Sequence, residues 1–202
     1  MLEFRGFPKL SRLNREVVVT EKIDGTNAQV FVVNGNELGT LINSEFIKSY
    51  ATLADNLFVI AGSRNRWIRV GDDNFGFAGW VRGNAQELVK LREGQHFGEW
   101  WGQGIQRGYG LTERRFSLFN TGRWLDNPER PSCCSVVPLL WAGKFSDLDC
   151  HDIMDNLAFG GSRAAEGFQN PEGIVVFQSS SGTLNKMTFE HDGGKWSANQ
   201  QA

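Results

Sequence analysis

The chain has 202 residues, of which 40% are hydrophobic and 22% charged, with a net charge of −2. That is enough apolar material for the core of one domain or slightly more, and the balance excludes a strongly basic nucleic-acid arm while leaving a local basic groove open. No apolar run approaches the roughly 20 residues of a membrane helix, and the opening "MLEFRGFPKLSRLNR" has no apolar signal-peptide core. Three cysteines, Cys133, Cys134 and Cys150, show no C-x-x-C spacing, which argues against a disulfide framework or zinc site and for a reducing, cytoplasmic setting.

In chain order, β-branched composition predicts a first strand over 17–20. Asp24-Gly25 then reads as a hairpin turn into a second strand over 28–33. A helix over 45–55, a strand over 57–60 and a Gly-rich loop over 71–83 follow. "NAQELVKLR" predicts a helix over 84–92, with Asn84 as N-cap and Glu87 at N3. A second Gly-rich loop covers 102–110, followed by strands over 116–119 and 136–142, a helix over 147–158 and a strand over 173–177. From Asp192 the chain is a polar, loose tail. Strands and helices do not alternate regularly. This predicts an α+β fold, with mixed, largely antiparallel sheets and flanking helices, over a doubly wound one.

Four short segments carry candidate chemistry. In "TEKIDGTN", Lys22 ends an apolar run beside a tight turn. A solvated surface hairpin accounts for this segment as well as a nucleophilic lysine does. A lysine amine is normally protonated, and burial or a nearby cation frees it to attack an electrophile. "NPEGIVVF" sets Glu172 at the mouth of an apolar strand, "QHFGEWW" sets Glu99 among aromatics, and "GTLNKMTFE" carries Lys186 in a strand-like run. Each alone reads as an ordinary turn, an edge-strand glutamate or a solvated lysine. Their joint occurrence in this order is the informative feature.

That order, K-x-D-G, G-E, E-G-x-V-V and then a lysine-bearing strand, resembles the covalent nucleotidyltransferases: polynucleotide ligases and mRNA capping enzymes. "EKIDGTN" looks most like the RNA-ligase branch typified by bacteriophage RNA ligase 2. The resemblance implies an adenylation-domain fold and an ATP-dependent RNA ligase that joins 3′-OH and 5′-phosphate ends through lysyl-AMP. By the same resemblance Lys22 is the nucleophile, Glu172 orients it or holds Mg²⁺ or Mn²⁺, and Lys186 contacts the α-phosphate. Glu21 would lie along the adenine pocket, Asn27 near the phosphates, Arg64 at the ribose or incoming 5′-phosphate, and Glu99 near the ribose as a second metal candidate. Phe119 would stack on the base. The charges suit the chemistry, since nucleotidyl transfer needs positioning and neutralisation and carboxylates are hard donors for Mg²⁺.

The resemblance has one departure. The last motif usually carries two lysines separated by one residue, whereas "LNKMT" has only Lys186, with Leu184 or Thr188 in the other place and Lys195 too far along. The expectation is one nucleotidyltransferase domain over 1–202, without an appended C-terminal or OB domain, monomeric, not membrane-bound, and acting on RNA ends or a nicked RNA-containing duplex. A DNA ligase, a GTP-dependent capping-type enzyme and a nucleotide-binding module without sealing activity are the alternatives. "WGQGIQRGYG" lacks the Gly-Lys-Ser/Thr ending of a phosphate loop and reads as a flexible loop, with Arg107 free to touch nucleic acid. The basic N-terminal "RGFPKLSRLNR" reads as a solvated edge or a phosphate-tracking patch.

Overall fold

The computed structural model describes residues 9–38 and 56–190, together with Phe4, Gly6 and Phe7. The expected helix over 45–55 and the tail from Asp192 lie outside the described residues. The chain forms two units. The first comprises Met1–Lys22, Pro138–Arg163 and Gln169–Ala202, and the second Ile23–Val137 and Ala164–Phe168.

The first unit is built on β1 (Glu16–Lys22). Val17 and Val19 alternate inward in β1, as a half-buried strand requires. The strand lies between β7 (Leu139–Lys144) and β8 (Gly173–Gln178), and β9 (Thr183–Thr188) completes an antiparallel sheet of order β7-β1-β8-β9. One face packs on helix α5 (Cys150–Gly160), where Ile153, Met154 and Leu157 share a helical face and meet Val17, Val19 and Ile174. Asp149 starts this helix, its carboxylate accepting the N–H groups of His151 and Asp152.

The second unit holds β2 (Thr26–Asn34), β3 (Leu57–Ser63), β4 (Gly94–Gly102), β5 (Arg114–Leu118) and β6 (Cys134–Val136), in the order β3-β2-β4-β5-β6. All pairs are antiparallel except β5 with β6. Ala28, Val30 and Val32 of β2, Trp100 of β4 and Phe116 and Leu118 of β5 face the core. Helix α2 (Phe77–Gly83) covers them with Phe77 and Val81, and α3 (Ala85–Leu88) with Leu88. The four-residue helices α1 (Gly35–Leu38) and α4 (Thr121–Trp124) follow β2 and β5.

Several expectations are corrected. Asp24-Gly25 is not a hairpin turn: β1 and β2 belong to different sheets, and neither residue has the positive φ of a primed turn. Gly25 meets a different need, because a Cβ there would lie 2.5 Å from the Trp100 carbonyl oxygen and 2.7 Å from the Trp101 Cβ. The single strand expected over 136–142 is two strands in different sheets, interrupted where Pro138 brings no N–H. The loop over 71–83 contains α2, whose glycines mask the inward spacing of Phe77, Ala78 and Val81. The helix over 84–92 is broken into α3 and a 3₁₀ turn ending at Arg92, whose φ is +68°. Asn84 is no N-cap by its side chain, which donates to the Trp80 carbonyl, and Glu87 pairs with Lys90 instead of closing a capping box. Glu99 sits in β4, an interior strand and not an edge.

Candidate active site

In the first unit, register places the charged side chains. Lys22 pairs with Gly173 and Gly173 with Thr188; two residues along, Thr20 pairs with Val175 and Val175 with Lys186. Directly opposed residues share a sheet face, so Lys22, Thr20, Val175 and Lys186 lie on one face. Lys22 Nζ donates to Glu172 Oε2 at 2.6 Å, with both side chains largely buried at 23% and 17% exposure. Glycine is required opposite Lys22: Gly173 has φ +148°, and a Cβ there would collide with the Met187 carbonyl. Lys186 stands exposed on the same face, and the structure draws it into no ion pair with Glu172.

Glu21 points to the opposite, core-facing side, in line with Val17, Val19 and Ile174. It is fully buried, its Oε1 accepting from Ser162 Oγ at 2.6 Å and its Oε2 from the Arg163 N–H at 2.7 Å. A buried carboxylate demands such partners. Its carboxylate therefore anchors the turn after α5. Nothing in the sequence around Ser162 signals this role.

In the second unit, Asn27 lies opposite Glu99, and Glu99 opposite Ser117. Gln29 lies opposite Phe97. Strand alternation puts all five on one face, away from the Trp100–Phe116 core. Phe119 directly follows β5, donates its N–H to the Phe97 carbonyl at 3.0 Å, and is partly exposed like Phe97. Arg64 follows β3, one residue past the Ser63–Ala28 pair, and is exposed. Asn27 and Glu99 thus share a face of this sheet with Phe97, Phe119 is joined to Phe97 by its backbone, and Arg64 follows the Ser63–Ala28 pair.

The K-x-D-G segment is clamped by Glu99 and Arg107 and by Tyr109, a residue with no assigned role in the sequence. Glu99 Oε1 accepts the Gly25 N–H at 3.1 Å, and the Tyr109 hydroxyl accepts the Asp24 N–H at 2.7 Å. Arg107 Nε donates to Asp24 Oδ2 at 3.0 Å. Tyr109 is buried between Trp101, at 4.9 Å edge-on, and Phe168, at 4.6 Å, with φ +53°. The 102–110 loop is therefore anchored, not flexible, and Arg107 is committed to Asp24. The signal available in the sequence was Tyr109 between two glycines, which supply the backbone freedom of this tight turn.

The carboxylates suit a divalent cation only in a particular way. Among the described residues no three His, Cys, Asp or Glu side chains form a metal cage. Mg²⁺ commonly takes one or two carboxylates plus substrate phosphates, and keeps water. Glu172 and Glu99 each offer oxygen donors for that mode.

The RNA ligase family model matches residues 15–188. The chain belongs to the RNA ligase family. No curated protein matches it in sequence. Among solved structures, a Naegleria gruberi RNA ligase variant with ATP and Mn aligns at a TM-score of 0.57 and 18% identity, covering 88% of this chain and 51% of that one. A second Naegleria gruberi variant with ATP and Mn gives 0.54 and 19%, covering 87% and 49%. An archaeal ATP-dependent RNA ligase gives 0.50 and 19%, covering 92% and 48%. At such identities the likeness establishes the fold, and this family member spans about half the length of those structures. No helix among the described residues is long and apolar enough to cross a membrane.

Proposed function

We propose that this protein is an ATP-dependent RNA ligase that forms a lysyl-AMP intermediate on Lys22. The observation that carries the reading is the 2.6 Å pairing of Lys22 with Glu172 at the end of β1, within a chain of the RNA ligase family. Lys22 Nζ attacks the α-phosphorus of ATP, a P–N bond forms, and the bond to the β-phosphate bridging oxygen breaks. Pyrophosphate leaves, and the amine proton passes to Glu172 or through it to water. Glu172 first holds the amine in place and then accepts its proton, a role geometry allows before any pKa argument. Lys186 supplies fixed positive charge from the same sheet face.

Asn27, Glu99 and Arg64 are assigned to the ribose and phosphates, and Phe119 to the base, with Phe97 beside it. Glu21 acts through the backbone it fixes, with its carboxylate turned to Ser162 and Arg163. Mg²⁺ or Mn²⁺, held by Glu172 or Glu99 together with substrate phosphates, would neutralise phosphate charge. AMP then passes to an RNA 5′-phosphate with cleavage of the P–N bond, and a 3′-OH displaces AMP to seal the strand. Ends aligned in a nicked duplex suit this best, because alignment removes the entropy of bringing them together. Incubation with α-labelled ATP, and separately with GTP, tests the proposal. Acid-labile, base-stable label from ATP followed by sealing of RNA supports it. Label only from GTP indicates a capping-type enzyme, and no label indicates a binding module.

A further inference from the structure

A groove of about 750 Å³ opens in the first unit, lined by Lys9, Arg12, Arg15 and Glu16 from the N-terminal segment and by Ser179 and Ser180 from the β8–β9 turn. Three cations face one carboxylate there. None of the three is in an ion pair among the described residues. The groove is therefore a local concentration of unpaired positive charge in a chain of net negative charge.

The end of the segment, from Leu13 to Glu16, is held by its backbone carbonyls, and Lys9, Arg12 and Arg15 are exposed. The Leu13 carbonyl accepts from Gln178 Nε2 at 2.9 Å, and the Arg15 carbonyl accepts the Phe145 N–H at 3.0 Å. The Glu16 carbonyl accepts both the N–H and the hydroxyl of Ser179. Ser180 Oγ, shielded from solvent at the groove wall, has no hydrogen-bond partner, and rotation about one bond offers it to an anion. Beyond Lys9 the segment exposes two aromatic rings, Phe4 at 93% and Phe7 at 86%. Cations set beside exposed rings are the combination that tracks a phosphate backbone while stacking sequence-tolerantly on bases.

We infer that Lys9, Arg12 and Arg15, braced on the β8–β9 turn and with Phe4 and Phe7 before them in the chain, form a docking groove for single-stranded RNA. Lys9, Arg12 and Arg15 engage successive phosphates, and Phe4 and Phe7 engage bases. The inference rests on the ligase reading only in choosing polynucleotide as the anion. The groove then holds substrate chain outside the residues assigned to adenylyl transfer. It gives a net-acidic protein affinity for its polymer without an excess of basic residues overall.

The test is binding of a labelled single-stranded RNA to the full chain across a salt series, alongside adduct formation with labelled ATP. Three phosphate contacts contribute a slope of about −2 in log affinity against log salt for a single strand. The Lys9→Gln/Arg12→Gln/Arg15→Gln variant should lose that part of the slope and bind roughly a hundredfold more weakly at 0.1 M salt. Arg12→Lys/Arg15→Lys should keep the slope. Phe4→Ala/Phe7→Ala should weaken binding at unchanged slope. Adduct formation should be the same in all of these. Equal affinity and slope in the triple glutamine variant would overturn the inference. So would binding of the wild-type protein to vesicles of phosphatidylserine but not to RNA, which would make the patch a membrane contact. Absence of adduct in the wild type would count against the ligase reading, while the RNA titration would still decide the groove.

Discussion

Lys22 and Glu172, 150 residues apart in sequence, meet at 2.6 Å because β1 and β8 pair in a register that sets Lys22 opposite Gly173. Only glycine fits opposite the lysine, because the Met187 backbone would exclude a Cβ there, and the glutamate one residue earlier supplies the carboxylate. The same pairing turns Glu21 to the core side, so two adjacent acid and base residues serve different ends.

Lys22→Ala should abolish the nucleotide adduct and, by leaving the largely buried Glu172 carboxylate without its partner, lower stability by about 1–3 kcal/mol. Gel detection of labelled protein and a urea melt measure the two effects. An adduct in this variant would remove Lys22 as nucleophile.

Glu172→Gln keeps the shape but gives up the proton acceptor. Single-turnover adduct formation at saturating ATP and metal should slow by roughly 10²–10⁴-fold, the range of a positioned base. An unchanged rate would leave Glu172 as no more than a structural partner of Lys22.

Gly25→Ala tests why glycine follows Asp24. If the residue served a left-handed turn, the cost would come from strain at φ, but Gly25 is not at positive φ. The added methyl instead meets the β4 backbone at Trp100, which cannot yield as a flexible side chain would. Overpacking of this kind costs about 1–3 kcal/mol, read as a lower urea midpoint at unchanged m-value.

His96 carries a pH dependence of stability. Burial lowers its pKa from the usual value, the Arg92 carbonyl 2.8 Å from Nε2 opposes this, and the Arg123 charge reinforces it. The unfolded chain thus binds a proton more readily than the folded one. Stability should be unaffected well above the unfolded value of about 6.5, and should fall as pH drops through it toward the lowered folded value. His96→Gln should flatten the melting temperature between pH 7.5 and 5.5. An equal slope in the variant would assign the dependence to other groups.

Much of the candidate site was legible because its motifs are local: a lysine at a strand end, a glutamate before a glycine and a valine pair, a glutamate among aromatics. What was not legible is long-range. Asp24-Gly25 looked like a hairpin because the local pattern says nothing about which strand pairs with which. β1 finds its partners at 139–144 and 173–178, more than a hundred residues away. Glycines hid α2, since low helix propensity there is outweighed by burial of Phe77 and Val81 against the sheet. The anchoring of Glu21 by Ser162 involves residues with no distinguishing neighbours in sequence.

The clamp on Asp24 is the least obvious of these contacts. Tyr109 reaches the Asp24 N–H from a loop 85 residues later, and Arg107 of the same loop pairs with the Asp24 carboxylate. Tyr109→Phe keeps the ring between Trp101 and Phe168 and deletes the hydroxyl that accepts the Asp24 N–H. A partly buried N–H left without a partner costs about 1–3 kcal/mol, so the urea midpoint should fall accordingly. Because Asp24 lies two residues after Lys22, the variant should also slow adduct formation more than it raises the KM for ATP. Arg107→Ala should act in the same direction, and the two together should cost less than the sum of the singles, since both restrain one residue. Strict additivity, or a stability loss with an unchanged adduct rate, would show that the loop supports the fold without positioning the motif.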